Sequence, residues 1–390
     1  MAFVRTRLVD FERQKRSLSH IYSGYRDEMS EGLWYAEAIT GKDVAEFASR
    51  PVVIRDGYWG GENPHIGHIV GNVYRHLDAV QRKEEPSRLS QKNAEDDEWR
   101  AQDPAFFDAV LRRYGPDVAG HKIDQTVSIV DFSGESLTIQ RSCYLDQLGS
   151  NIFCDKPVGV SGDTLRTLNL SDGKALPFSE STLANTIGVS AVFVGRDGIP
   201  LLRWRQQQKG SRRMAIMESG WHCTASGVLT WQDFTSAAKD GRTTVASVVN
   251  GILRESAYEA GIGRTDEFYD LKLVAFAREL KRAGKPQFFF VLRFPDHTAA
   301  EIRDIILGRE LVEGDEYGRQ SLRRSIAMAF RPKSAGVASD FLIDDRLILD
   351  RLMPARLESL STAEDGIHFT FEAYANLFFA LKDKPTGQPT

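Results

Sequence analysis

The sequence predicts a mixed α/β protein of the α+β type, built as two domains, and three observations carry that expectation. The chain has 390 residues, more than one hydrophobic core usually organises. Residues 188–205 contain two β-rich runs, Gly188-Val-Ser-Ala-Val-Phe-Val194 and Pro200-Leu-Leu-Arg-Trp-Arg205, joined through Arg196-Asp-Gly198, and an Asp-Gly turn between such runs is a strong hairpin signal. Residues 243–262 read as a helix, followed by strand candidates at 271–277 and 285–294.

The helix is the best-defined element. Val245, Val248, Val249, Ile252, Leu253, Ser256 and Ala260 recur at three- and four-residue steps and form one apolar or small-residue stripe. Thr243 or Thr244 can cap its start, and Gly261 ends it. Glu255 and Glu259 lie one turn apart, about 40° around the axis, at the margin of that stripe. Like charges so placed repel, and partial burial raises the cost unless a cation or a pKa shift relieves it. A divalent metal is the simplest relief.

Before the helix the reading is coarser. Residues 1–50 suggest two helices, the second over 37–49, and 51–54 is a short buried-strand candidate. A glycine-rich turn then leads into a helix from about His68. Residues 81–103 are a solvated charge run, 104–115 have helical spacing, and 126–130 with 136–140 read as a hairpin. The Gly-, Ser-, Asp- and Pro-rich stretch 155–181 reads as the connection between domains, with the boundary near residue 175. A mixed helix/strand domain over 1–175 therefore precedes a second domain over 176–390. Towards the end come an acidic loop at 308–319, a strand or short helix at 325–331, and an amphipathic helix at 369–381.

Composition narrows the class. Hydrophobic content of 42% with 27% charged residues is that of a soluble globular chain. A net charge of −4 gives no whole-chain case for nucleic acid or an anionic membrane. Cys143, Cys154 and Cys223 are too few and too scattered for a disulfide framework or a zinc site, which favours a reducing compartment. The first residues lack the apolar core of a signal peptide, and no run approaches membrane-spanning length. The expected location is the cytoplasm.

The run Arg254-Glu255-x-x-x-Glu259-x-Gly261-Ile262 resembles the end of the Nudix box, whose pattern is Arg-Glu, an apolar residue, any residue, Glu-Glu, any residue, Gly and an apolar residue. Gly227-Val-Leu-Thr-Trp-Gln-Asp233 resembles its opening, with Asp for Glu and a longer insertion before the helix. Tyr258 stands where the first Glu of the pair belongs, and Ser256 where an apolar residue is usual. The order of strands and helix over 185–300 is also similar to that of the family. The resemblance implies a Nudix-like α/β/α sandwich in the C-terminal half. It further implies hydrolysis of a nucleoside diphosphate linked to another group, with Mg²⁺ or Mn²⁺ as cofactor. Glu255 would then be a metal ligand or general base, Glu259 a metal ligand, Arg254 the residue orienting the carboxylates, and Gly227 a carbonyl donor. With Tyr258 removing one carboxylate, Glu313 and Glu316 in the acidic loop are the nearest substitutes. Arg203 and Arg205 match an arginine on the family's second strand and are substrate-binding candidates, with Tyr258 and Trp221 as aromatic platforms. The alternative is a Nudix-like module that binds a nucleotide or ADP-ribose-like ligand without cleaving it. The implied partner is a small nucleotide, and many relatives of this fold pair as homodimers.

A second constellation, His65-Ile-Gly-His68, resembles the HIGH motif of class I aminoacyl-tRNA synthetases and related nucleotidylyl transferases. Histidines at a helix start after a strand and loop stabilise phosphate charge in those enzymes. The other reading is a turn whose histidine caps or packs on the helix.

Overall fold

A computed structural model describes residues 35–60, 63–81, 103–120, 123, 125–132, 135–158, 162–171, 174–198, 200–205, 220–235, 243–263, 266, 268–308 and 371–382. In chain order the elements are β1 (Tyr35–Thr40), α1 (Asp43–Ser49), β2 (Val52–Tyr58), α2 (Ile66–Gln81), α3 (Pro104–Tyr114), β3 (Gln125–Phe132), β4 (Leu137–Cys143) and α4 (Tyr144–Gln147). Next come α5 (Leu165–Leu168), the short pair β5 (Leu170–Ser171) and β6 (Lys174–Ala175), β7 (Gly188–Gly195), β8 (Pro200–Leu201), β9 (Arg203–Arg205), β10 (Gly220–His222) and β11 (Ala225–Val228). The rest are α6 (Trp231–Thr235), α7 (Val249–Ala260), β12 (Asp270–Glu279), β13 (Lys285–Phe294), α8 (Ala299–Gly308) and α9 (Phe371–Lys382). The protein is thus mixed α/β.

The main sheet runs in the order β1-β12-β13-β7-β11, with β8 paired to the end of β7. Strands β13 and β7 are parallel, and every other pairing in it is antiparallel. All of β7 is buried, and so is β13 apart from Arg293. Successive strand residues face opposite sides, and here the two sides meet different helices. Val189, Ala191 and Phe193 share a core with Ile252 and Ala260 of α7, while Val192 and Val194 pack with Ala375, Leu377, Phe379 and Ala380 of α9. Continuous apolar runs such as Phe288-Phe-Phe-Val-Leu292 are what a strand covered on both faces requires.

The smaller sheet has the order β2-β4-β3 and abuts the main one. Backbone bonds from Val127 N–H to the Leu229 carbonyl (3.3 Å) and from Ile187 N–H to the Val127 carbonyl (2.9 Å) join the parts. Phe47 of α1 packs on Phe276 and Phe288, with ring centroids 5.0 and 5.9 Å away. Contacts of one core therefore cross residue 175, the expected boundary.

Three local expectations change. Residues 37–49 are not one helix: β1 ends at Thr40, Gly41 turns with φ +61°, and only Asp43–Ser49 is helical. The edge of β12 supplies hydrogen bonds to residues 35–40, and strand pairing with a distant partner overrides local propensity. The strand near 51–54 is real but not buried, since β2 is a sheet edge with Val53 48% and Ile54 37% exposed. Stretch 155–181 is tied into the fold: Arg166 is buried and donates to Asp155 Oδ2 (2.7 Å) and to the Leu280 carbonyl (2.6 Å). The hairpin β3/β4, helix α3, the turn between β7 and β8, and helices α7 and α9 lie where the sequence places them. Residues 82–102 and 309–370, which hold the charge run, the acidic loop and the 325–331 element, lie outside the described residues.

Because Phe47 shares its core with strands from beyond residue 175, Phe47→Ala should destabilise the whole chain, by about 3–5 kcal/mol as for other buried phenylalanines. Urea unfolding followed by tryptophan fluorescence and by circular dichroism should shift together. A shift confined to one of several separate transitions would show that the core is not shared.

Candidate functional site

The site forms where α7 crosses the connection between β11 and α6. Two glycines permit the approach. A Cβ on Gly251 would lie 2.1 Å from Leu229 Cδ2, and one on Gly227 would lie 2.1 Å from Glu255 Oε1, so these two side chains lie against bare backbone and would have to move aside for a larger residue. A single 3₁₀ turn, Val245–Val248, leads into α7, and Gly261 closes it with φ +68°. Burial of Val248, Ile252, Ser256 and Ala260 on the core side sets the rotation of the helix, which puts Glu255 and Glu259 at the seam.

Three carboxylates and two guanidinium groups meet there. Arg254 donates to Asp233 Oδ1 and Oδ2 (3.1 and 2.9 Å), to Glu255 Oε1 (2.6 Å) and to the Val228 carbonyl (3.0 Å). Asp233 also accepts from Thr230 N–H (2.8 Å), and its own carbonyl accepts from Asn250 (2.7 Å). The arginine thus ties the start of α6, the end of β11 and helix α7 into one unit. Glu259 is held from the other side: Oε1 accepts from Arg203 (2.7 Å) and Oε2 from the backbone N–H of Ser226 (2.7 Å).

Burial and charge tune these groups. Burial, against the attraction of Arg254 and with the repulsion of Glu259, pushes the Glu255 carboxyl up to about 7 from 4.5. Burial acts against the Arg254 charge, but its bond to Asp233 and the charge of Glu255 outweigh that and move its pKa upward.

Of the residues singled out in the sequence, Gly227, Arg254, Glu255, Glu259 and Arg203 converge here. Arg205 and Trp221 lie on the two-stranded ribbon β9/β10, where Trp221 pairs with Trp204 and Gly220 with Arg205. Their side chains lie outside the described residues, as do Glu313 and Glu316 altogether. Tyr258 is 38% exposed. His65 and His68 sit at the start of α2, in a different part of the fold. The His65 carbonyl accepts from His68 N–H and Ile69 N–H (3.0 Å each), and His68 Nε2 meets Asn72 Nδ2 at 3.3 Å. Burial, then the nearby Arg75, lowers the His68 pKa.

Two residues of the site were not foreseen. Buried His222 contacts the Ser226 hydroxyl through Nε2 (2.7 Å), and Ser226 is the residue whose N–H holds Glu259. The sequence signal was faint: polar side chains in the otherwise apolar or small run 222–228. Asp233, noted only as the box's substituted Glu, proves to be the residue that Arg254 grips.

Among the described residues, no group of three or more His, Cys, Asp or Glu side chains is disposed to hold a metal ion. Nor is any of their helices long and apolar enough to cross a membrane. Neither a protein-family model nor a curated protein matches this sequence.

The Glu255 shift has a definite sign. Between about pH 4.5 and 7 the unfolded chain gives up this proton while the folded chain keeps it, so this group's contribution to stability falls as pH rises through that window. Glu255→Gln should flatten the pH dependence of urea midpoints there. Superimposable profiles for wild type and variant would refute the shift.

Proposed function

We propose that residues 185–300 form a Nudix-like α/β/α domain that binds a nucleotide carrying a pyrophosphate link, together with Mg²⁺ or Mn²⁺, and hydrolyses that link. The observation that carries the reading is the Asp233–Arg254–Glu255 bridge (2.9 and 2.6 Å), which gathers the separated halves of the box-like pattern about one guanidinium.

The donor set suits a hard cation. Glu255 and Glu259 offer carboxylate oxygens one helical turn apart, and the missing Cβ of Gly227 leaves the strand backbone against the Glu255 carboxylate. Mg²⁺ commonly takes one or two protein carboxylates and completes its shell with waters and substrate phosphates, so two helix carboxylates are enough. Bound there, the cation would neutralise pyrophosphate charge and make an attacking water more acidic. Glu255, held by Arg254, would take that water's proton as the water oxygen bonds to phosphorus and the bridging P–O bond breaks, its electron pair leaving with the departing phosphate. Arg254 keeps the Glu255 carboxylate oriented throughout.

A binding module without catalysis is the second reading. It is favoured by Tyr258 in place of a carboxylate and by Glu259, whose two oxygens are both engaged, by Arg203 and by Ser226 N–H.

Incubation of the purified chain with Mg²⁺ or Mn²⁺ and a panel of nucleoside triphosphates, ADP-ribose, NAD and dinucleoside polyphosphates separates the two. Hydrolysis predicts product from wild type and a loss of about 100-fold or more in Glu255→Gln/Glu259→Gln, the scale of a general base. Tight nucleotide binding without product would establish the module instead.

A further inference from the structure

Arg203 makes a contact that the proposed chemistry does not require. It sits on β9, and its side chain is 7% exposed against 12% for Glu259. Their 2.7 Å contact is therefore largely withdrawn from water. With Ser226 N–H on the other oxygen, each Glu259 oxygen already has one donor. A cation approaching Glu259 meets the like charge of the adjacent guanidinium and competes with it for the carboxylate, and pushing that guanidinium aside without a new partner is costly.

We propose that Arg203 is a counter-ion latch. It keeps Glu259 from binding a divalent cation alone, and yields the carboxylate when a pyrophosphate group takes the guanidinium. The inference rests on the functional reading above. The planar fork of arginine accepts carboxylate and phosphate with the same geometry, so the exchange replaces one partner of Arg203 by another. The charge balance points the same way. With all groups ionised, Asp233, Glu255 and Glu259 against Arg203 and Arg254 leave the cluster one negative charge. A divalent cation turns that into one positive charge, which an anionic pyrophosphate offsets. Cation and anion therefore enter together, and each must strengthen the other by the same factor. Ser226 N–H keeps its hold on Glu259 during the exchange, and the contact of Ser226 with His222 fixes the strand that carries it.

The test is Mn²⁺ binding to the full chain by calorimetry, alone and with α,β-methylene-ADP, a diphosphate that resists cleavage at its bridging carbon. Wild type is compared with Arg203→Met and with Arg203→Gln, which is neutral but can still donate to Glu259, each checked for folding by circular dichroism. Without nucleotide, both variants should bind Mn²⁺ about tenfold more tightly than wild type, within the usual range of such couplings. The gain should vanish in Arg203→Gln/Glu259→Gln. The diphosphate should strengthen Mn²⁺ binding in wild type and much less in the single variants. If wild type binds the diphosphate with Mn²⁺ but neither single variant gains affinity for Mn²⁺ alone, the latch is wrong and the functional reading stands. If wild type binds neither Mn²⁺ nor the diphosphate, separately or together, both fall.

Discussion

Three carboxylates sit at one helix–strand seam, and the surrounding structure must meet the cost of keeping them out of water. An unpaired buried carboxylate costs several kcal/mol, and breaking one member of a buried pair typically costs about 3–5 kcal/mol. Two arginines from different elements answer that demand, Arg254 on the helix itself and Arg203 on a strand. Their geometry fixes the distances among β9, β11, α6 and α7. A side chain at Gly227 would push on the Glu255 carboxylate itself and disturb its bond to Arg254.

The main sheet makes such a seam possible because it is rigid on both faces. Strands β7 and β13 are buried nearly throughout and paired in parallel over eight residues, Gln287 with Gly188 through Phe294 with Gly195. Strand β11 hangs on the edge of β7, so Ser226 and Gly227 inherit its register. Helix α7 lies on the face occupied by Val189, Ala191 and Phe193, and the first half of the chain seals the same core through Phe47, Val127 and Ile139. The site is consequently placed by residues far from it in sequence.

What was legible in the sequence follows from how local each determinant is. Helix α7 and its glycine stop were readable because its periodicity and closing glycine lie within twenty residues, although neither Thr244 nor Val248 makes a side-chain cap at its start, and the β7/β8 hairpin because its turn chemistry is contiguous. The edge strand β1 was misread as helix because its identity depends on β12, more than two hundred residues onward. Likewise, the carboxylate pair was visible as an i, i+4 spacing, whereas its arginine partner was not. Arg203 and Glu259 are 56 residues apart, and only the fold makes them neighbours. His222 and Ser226 escaped notice because a buried polar pair on a strand leaves no periodic trace.

Tyr258 is the sharpest departure from the box-like pattern, and its placement bears on how the site divides its work. Tyr258 is 38% exposed, whereas the carboxylates of Asp233, Glu255 and Glu259 are largely withdrawn from water. A site with fewer carboxylates holds a cation less well by itself and relies more on oxygens brought by the ligand. On the reading proposed above, the Arg203–Glu259 pair would act in the same direction, since a lone cation would compete with a guanidinium. On the reading proposed here, both features favour ligands that carry adjacent phosphates, because only these satisfy a cation and a freed arginine at once.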